Sequence, residues 1–102
     1  MAGSQRYDFN TMYETVAVSQ SDQVIGGSGA VGDLLERVVV SVATAATGTC
    51  SIKDGSGSAI PLTAANTPIG VYTVDLGIRS SSGAWKITTG AGATAIAIGK
   101  FT

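Results

Sequence analysis

Two glycine-containing segments of the sequence resemble phosphate-binding loops. Gly27 to Gly32 matches G-x-G-x-x-G, a pattern that holds a dinucleotide pyrophosphate on backbone amides when it follows a strand and opens a helix. Here the pattern leads into three valines at 38–40, which favour a strand, so we interpret the glycines as a flexible hinge. The Gly-Lys pair at 99–100 lacks both the first glycine and the hydroxyl residue that a P-loop requires. Neither segment predicts a nucleotide site.

The carboxylates are the second group of residues that can do chemistry. Asp54 opens an Asp-Gly-Ser-Gly segment, but a calcium loop needs several oxygen ligands at set positions, so a single Asp predicts a turn. Asp33 and Glu36 are close in sequence, but they stand beside Arg37 at the start of an expected strand, which favours solvated surface charge. The sequence has no His, which excludes Ser-His-Asp and Cys-His catalytic sites and ordinary zinc sites. We therefore expect a non-enzymatic protein with no cofactor and no metal.

The composition narrows the expected partners. The chain has 102 residues, enough for one domain, and only 13% of them are charged. Basic and acidic residues nearly cancel to a net charge of −1, so no strong field attracts nucleic acid or an anionic membrane. We find no apolar run long enough to span a bilayer and no apolar signal-peptide core near the start, so we expect synthesis in a cytoplasm.

The residues after the glycine cluster alternate as β-strands do. In the run 34–43, Val38, Val40 and Val42 share one face, and further short β-branched runs are separated by Gly, Ser, Thr and Asn turns. About six strands at this spacing predict an all-β domain over 32–102, a small antiparallel β-sandwich or jelly-roll-like barrel. Trp85, the single tryptophan, is expected to anchor the core. The expected strands are 34–43, 49–53, 58–63, 71–78, 84–89 and 93–101.

Residues 1–31 are expected to form an extended N-terminal arm followed by the glycine hinge. Too few apolar side chains lie there to offset the entropy of ordering the segment alone. The apolar residues either cover a partner, which we favour, or dock on the chain's own domain; they fit a short helical stripe or an extended segment equally. The predicted interface residues are Tyr7, Phe9, Met12, Tyr13 and Val16. Cys50 lies on an apolar strand face, where it is either an inert buried thiol or the source of an intersubunit disulfide.

Several segments resemble small virion proteins of tailed bacteriophages. The specific ones are I-K-D-G-S-G at 52–57 and G-A-W-K-I-T-T-G-A at 83–91, and segments 32–40, 76–80 and 97–101 agree with them. The resemblance covers 32–102 and leaves 1–31 outside. It implies a head-decoration or head-fibre protein: a small β domain displayed on virions as an oligomer, often a trimer, with no catalytic residues.

We therefore expect a non-enzymatic virion protein that decorates and stabilises the capsid. Its expected partners are the major capsid protein and further copies of itself as a homotrimer, with no nucleic acid and no membrane. Its expected location is the capsid surface, after synthesis in the host bacterial cytoplasm. A tail or fibre component, with host-surface or glycan binding, is the alternative. A small enzyme or inhibitor is a third class, but it would require an organised polar cleft for which the sequence offers no candidate.

Overall fold

The computed structural model describes residues 11–45 and 48–102, which form eight β-strands. The strands are β1 Met12–Val16, β2 Gln23–Val24, β3 Leu34–Val42, β4 Cys50–Asp54, β5 Ile60–Thr63, β6 Gly70–Arg79, β7 Trp85–Thr88 and β8 Ala93–Lys100. The described part of the chain contains no helix. The all-β class predicted from the alternating pattern is confirmed.

The strands form two four-stranded antiparallel sheets that pack face to face. The first sheet has the order β1-β8-β3-β6, and the second has the order β2-β7-β4-β5. Strand β3 lies at the centre of the first sheet, where Val39 pairs with Ile96 of β8 on one side and with Thr73 of β6 on the other. A bulge between Leu35 and Arg37 interrupts both pairings. This arrangement is an antiparallel β-sandwich, one of the two architectures that the sequence predicts.

The core lies between the sheets and combines large with small side chains. Val38, Val40 and Val42 of β3 point inward together and are buried, as their period-two spacing predicts. The inward positions of β8 are three alanines and Gly99, whereas β7 contributes Trp85 and Ile87, both buried. Small residues on one sheet leave room for an indole on the other, which lets the two sheets pack closely.

Residues 12–25 belong to the sandwich and do not form part of the arm outside the β domain that the sequence had predicted. Strand β1 pairs with β8, and β2 pairs with β7. Val16 and Ile25 are both fully buried in the same core cluster as Trp85. The segment needs no core of its own because it completes the core of the domain. Residues 1–10 lie outside the described residues.

The glycine segment is a fixed loop and not the expected hinge. The amides of Ser28 and Gly29 both donate to the carbonyl oxygen of Thr102, at 3.1 and 2.9 Å. Gly26 has φ +100°, and a Cβ built on it would lie 2.6 Å from the same carbonyl oxygen. Glycine is therefore required here by a close approach to the last residue of the sequence.

The two lateral sides of the sandwich are closed differently. Beside β1 and β2, the Glu14 carboxylate accepts hydrogen bonds from the Gln23 side-chain amide and from the Gly26 amide, both at 2.8 Å. The opposite side is bounded by β5 and β6, which the loop 64–69 connects. Strand β5 has four residues and β6 has ten, so most of β6 has no strand facing it from the second sheet.

Candidate interaction surface

The residues that suggested phosphate or acid–base chemistry hold loops together instead. The Asp33 carboxylate accepts hydrogen bonds from the Ala30 amide and from the amide and hydroxyl of Thr102, at 3.0, 3.2 and 3.1 Å. Its backbone carbonyl accepts from the Trp85 indole at 2.9 Å. Asp33 is buried, whereas Glu36 is partly exposed and accepts from the Thr11 hydroxyl. The two carboxylates therefore do not form a pair across a cleft.

Asp54 connects two turns. Its carboxylate accepts hydrogen bonds from the amides of Ser81 and Ser82 and from the Ser81 hydroxyl, all between 2.9 and 3.0 Å. Desolvation raises the pKa of Asp54, but these hydrogen bonds outweigh it and hold the pKa below its usual value. The ionised carboxylate thus fixes the turn after β4 against the turn before β7. This agrees with the prediction that Asp54 is a turn residue.

A small charged cluster lies on the outer face of the second sheet. Lys53 and Lys86 are direct cross-strand partners, an arrangement that repels unless an anion lies nearby. Asp22 supplies that anion, with its carboxylate 3.3 Å from the Lys53 ammonium. The hydrogen bond from Lys53 is the largest influence on the pKa of Asp22 and holds it below its usual value; the bond from Thr88 acts in the same direction, against desolvation. Asp22 therefore reduces the repulsion between the two lysines on this face.

The described residues of the predicted interface do not lie together on one surface. Val16 is fully buried in the core of its own chain, so its assignment to a partner surface is wrong. Tyr13, on the outer face of the first sheet, is 73% exposed, and Met12 is 43% exposed at the start of the same strand. Tyr7 and Phe9 lie outside the described residues. Of the described residues in this set, only Met12 and Tyr13 are on the surface.

Cys50 is a free thiol at the first position of β4 and is fully buried. It belongs to the core cluster with Ile52 and Ile87. An intersubunit disulfide through this residue would require β4 to leave the sandwich, because the sulfur has no path to another chain in the folded state.

The most distinctive surface is the side of the sandwich along β6, which we call the β6 side. Its members are the inward-facing Tyr72, Val74, Leu76 and Ile78, the outward-facing Val71, and the neighbouring Ile60 and Ile69. None of the inward-facing residues of β6 is fully buried, whereas Val38, Val40 and Val42 of the adjacent strand are. The inward face of β6 is therefore only partly covered.

Large apolar side chains on the β6 side face water. Ile69 and Val71 are 67% and 68% exposed, and Ile60 and Ile78 are 42% and 43% exposed. Exposed apolar residues scattered singly are normal, whereas these residues lie along or next to one open edge of the sandwich. Sequence reasoning missed this surface because the alternation in β6 looks the same for an edge strand and for a covered one.

Other kinds of site are not found in the described residues. No cavity, and no group of acidic, Cys or His residues able to hold a metal, occurs within residues 11–45 and 48–102. The same residues include no helix that could cross a membrane.

Comparisons with protein families, with characterised proteins and with solved structures find no match for this chain. The resemblance to phage virion proteins therefore remains an inference from the sequence segments that carry it.

Proposed function

We propose that this chain is a non-enzymatic structural protein of a tailed-phage virion, and that it decorates and stabilises the capsid by binding in many copies. The observation that carries the proposal is the β6 side, where a ten-residue strand ends the first sheet and leaves apolar residues in water. A protein with such a side is suited to assembly.

The two edges of the second sheet are blunted, whereas the β6 edge is long. Strand β2 has two residues and β5 carries Pro61. Short strands and proline are common means of preventing edge-to-edge association. In the first sheet, β1 has five residues and β6 has ten, with Val71 exposed on β6. The length of the β6 edge and its exposed apolar residues favour a function for it.

The segments that resemble virion proteins form the scaffold of this fold. I-K-D-G-S-G corresponds to the end of β4 and its turn, and G-A-W-K-I-T-T-G-A corresponds to β7 and its flanking turns. Within them, Asp54 bonds the Ser81–Ser82 turn, and Trp85 bonds the Asp33 carbonyl. A likeness in these segments supports a rigid β domain of the kind found in the virion proteins that they resemble. A component present in many copies requires such a domain.

The proposed mechanism is mass action. A protein that binds the assembled shell, and not its separated subunits, stabilises the shell by RT ln(1 + [L]/Kd) per site, about 2.7 kcal/mol at a hundredfold excess over Kd. The proposed partners are the major capsid protein and further copies of this chain as a trimer. Because the fold is charge-poor, burial of the apolar β6 side, against the capsid protein or against another copy, supplies free energy of assembly.

Co-sedimentation tests the proposal. Purified chain is mixed with phage capsids, and bound copies per particle are counted on a calibrated gel. Hundreds of copies support a shell protein, a few copies per particle indicate the tail or fibre alternative, and no binding rejects a virion role. Val71→Lys should reduce binding at least tenfold because it places a charge on the β6 side. Val18→Lys is the matched control, since Val18 is also exposed, at 45%, but lies after β1.

A further inference from the structure

Strand β6 offers a docking edge of defined length. It pairs with β3 along one edge only, and the pairing is regular from Gly70 to Asp75. Gly77 has φ +64°, which is not an extended conformation and ends the regular stretch. An added strand therefore finds about six or seven residues of continuous edge, the length of an ordinary strand.

The first residues of the chain have the pattern of a strand that covers such an edge. In the segment Gln5 to Phe9, Tyr7 and Phe9 alternate with Arg6 and Asp8. This period of two puts two aromatic rings on one face and two charges on the other, as expected of a half-buried strand. The segment lies outside the described residues, and it ends close to the start of β1.

Tyr7 and Phe9 cannot both cover the β6 edge of their own chain. An added strand beyond β6 would lie four strand spacings from β1, about 19 Å away. Phe9 precedes Met12 by three residues and can be at most about 11 Å from it, and Tyr7 at most about 18 Å. If these aromatic residues cover β6, they come from another copy.

One antiparallel register matches charge and hydrophobicity together. When Arg6 lies opposite Asp75, Tyr7 lies opposite Val74 and Phe9 lies opposite Tyr72. Both aromatic rings then fall on the inward face that β5 leaves uncovered. The Asp75 side chain is 83% exposed and bonds Arg37 at 3.4 Å, so it remains accessible to a second cation. Cross-strand pairs of opposite charge and of aromatic with aliphatic residues both stabilise a sheet.

We propose that residues 5–9 of one copy add as an antiparallel strand to the β6 edge of a second copy, with Tyr7 and Phe9 over the inward face of β6. This rests on the proposed function, since it names how the copies assemble. The contact is head-to-tail, because the β1 end of one copy meets the β6 edge of the next. Head-to-tail contacts close into rings when the rotation permits, so a trimer is compatible with this geometry.

Cysteine trapping between two populations of full-length chain tests the contact. One population carries Tyr7→Cys and the other carries Val74→Cys; both retain buried Cys50 as a common background. After mixing and mild oxidation, a non-reducing gel should show a disulfide-linked dimer of the two chains as the main product, since directly opposed residues have Cα separations that a disulfide spans. The matched control replaces Val74→Cys with Val18→Cys and should give at least tenfold less dimer.

Mass measurement of full-length variants provides the second test. Tyr7→Ala combined with Phe9→Ala should reduce the oligomer to single chains of 10.2 kDa. Ser4→Ala combined with Asn10→Ala should leave the oligomer intact, because both residues lie outside the segment 5–9. Equal cross-linking of Val74→Cys and Val18→Cys, or an oligomer that survives loss of both aromatic residues, would overturn the proposal.

The same experiments distinguish failure of this proposal from failure of the proposed function. Purified chains that stay monomeric and show no trapped dimer, but cross-link from Val74→Cys to the capsid protein, would overturn the exchange between copies and support a virion role. Trapped oligomers that fail to bind any capsid would support the exchange and reject that role.

Discussion

The indole Nε1 of Trp85 donates a 2.9 Å hydrogen bond to the carbonyl oxygen of Asp33. The same oxygen accepts from the Ser80 amide at 2.9 Å, so one peptide group joins the start of β3, the end of β6 and the core. Meanwhile the Asp33 carboxylate holds Thr102. Asp33 thus connects the sheets at the end where the glycine loop closes.

Replacement of the indole should weaken this connection. Trp85→Phe removes the hydrogen bond and part of the buried volume, and we expect unfolding to require about 1–3 kcal/mol less free energy. Urea unfolding followed by circular dichroism measures the change. Lys86→Ala, next in sequence but on the outer face, should stay within about 0.5 kcal/mol of the unmodified chain. Equal effects of the two substitutions would contradict the role of Trp85 in the core.

Residues 12–25 should contribute to stability as strands of the sandwich. Val16→Ala and Ile25→Ala each leave a cavity in the core and should reduce the free energy of unfolding by about 1–4 kcal/mol. Tyr13→Ala changes an exposed side chain and should change it by less than about 0.5 kcal/mol in a dilute sample. Deletion of the first 25 residues should accordingly unfold the domain, whereas deletion of residues 1–10 should not. A deletion of 1–25 that melts cooperatively at the original temperature would reject this assignment.

The glycine loop offers a matched pair of substitutions. Gly26→Ala forces a side chain into a left-handed conformation and against the Thr102 carbonyl, and should destabilise the fold by about 1–3 kcal/mol. At Gly27 the nearest atom to an added Cβ is 3.9 Å away, so Gly27→Ala should be neutral or stabilising by up to about 1 kcal/mol. Melting temperatures of both variants decide between a fixed loop and a flexible hinge, since a hinge would respond alike to the two changes.

Asp54 should make stability depend on pH in the acidic range. Its pKa is lower in the folded state than the unfolded value of about 3.9, so its stabilising contribution is complete above that value and is lost as pH falls through the folded pKa. Urea midpoints measured from pH 6 to pH 2.5 should fall less steeply for Asp54→Asn than for the unmodified chain. Asp22 has a shift in the same direction, so part of the slope should persist in that variant. Identical slopes for the two proteins would show that the turn contacts do not favour the ionised form.

Cys50 should be unreactive in the folded protein. Because the thiol is fully buried, a disulfide-exchange reagent should modify no cysteine in native buffer over minutes and one per chain after addition of denaturant. The absorbance of the thiolate that the reagent releases measures the number of cysteines modified under each of the two conditions. Rapid stoichiometric modification without denaturant would mean that β4 opens readily and would restore the possibility of an intersubunit disulfide.

The strands after residue 32, except β5, were predictable because each alternates over at least four residues between clear turns. Strand β1 was not, because Glu14 occupies an inward position, where its carboxylate bonds Gln23 and Gly26 at the rim of the sandwich. A charged residue at that position hides the period of two. Ile25 reaches the core next to a strand of two residues, too short for any pattern.

The candidate surface was less predictable than the fold. Period-two spacing identified the face of β6 that points inward, but strand order decides whether that face is covered. Strand order depends on pairings between residues distant in sequence, such as Val38 with Ala97 and with Val74. Local patterns do not contain that information.

The position of β8 sets when the polypeptide can reach its native state during translation. Strand β8 lies between β1 and β3, so the first sheet cannot form until residues 93–100 have left the ribosome. Until then β3 can pair on one edge only, and a nascent chain that exposes its valines is prone to aggregate. The complete sandwich therefore forms only after these residues have been synthesised.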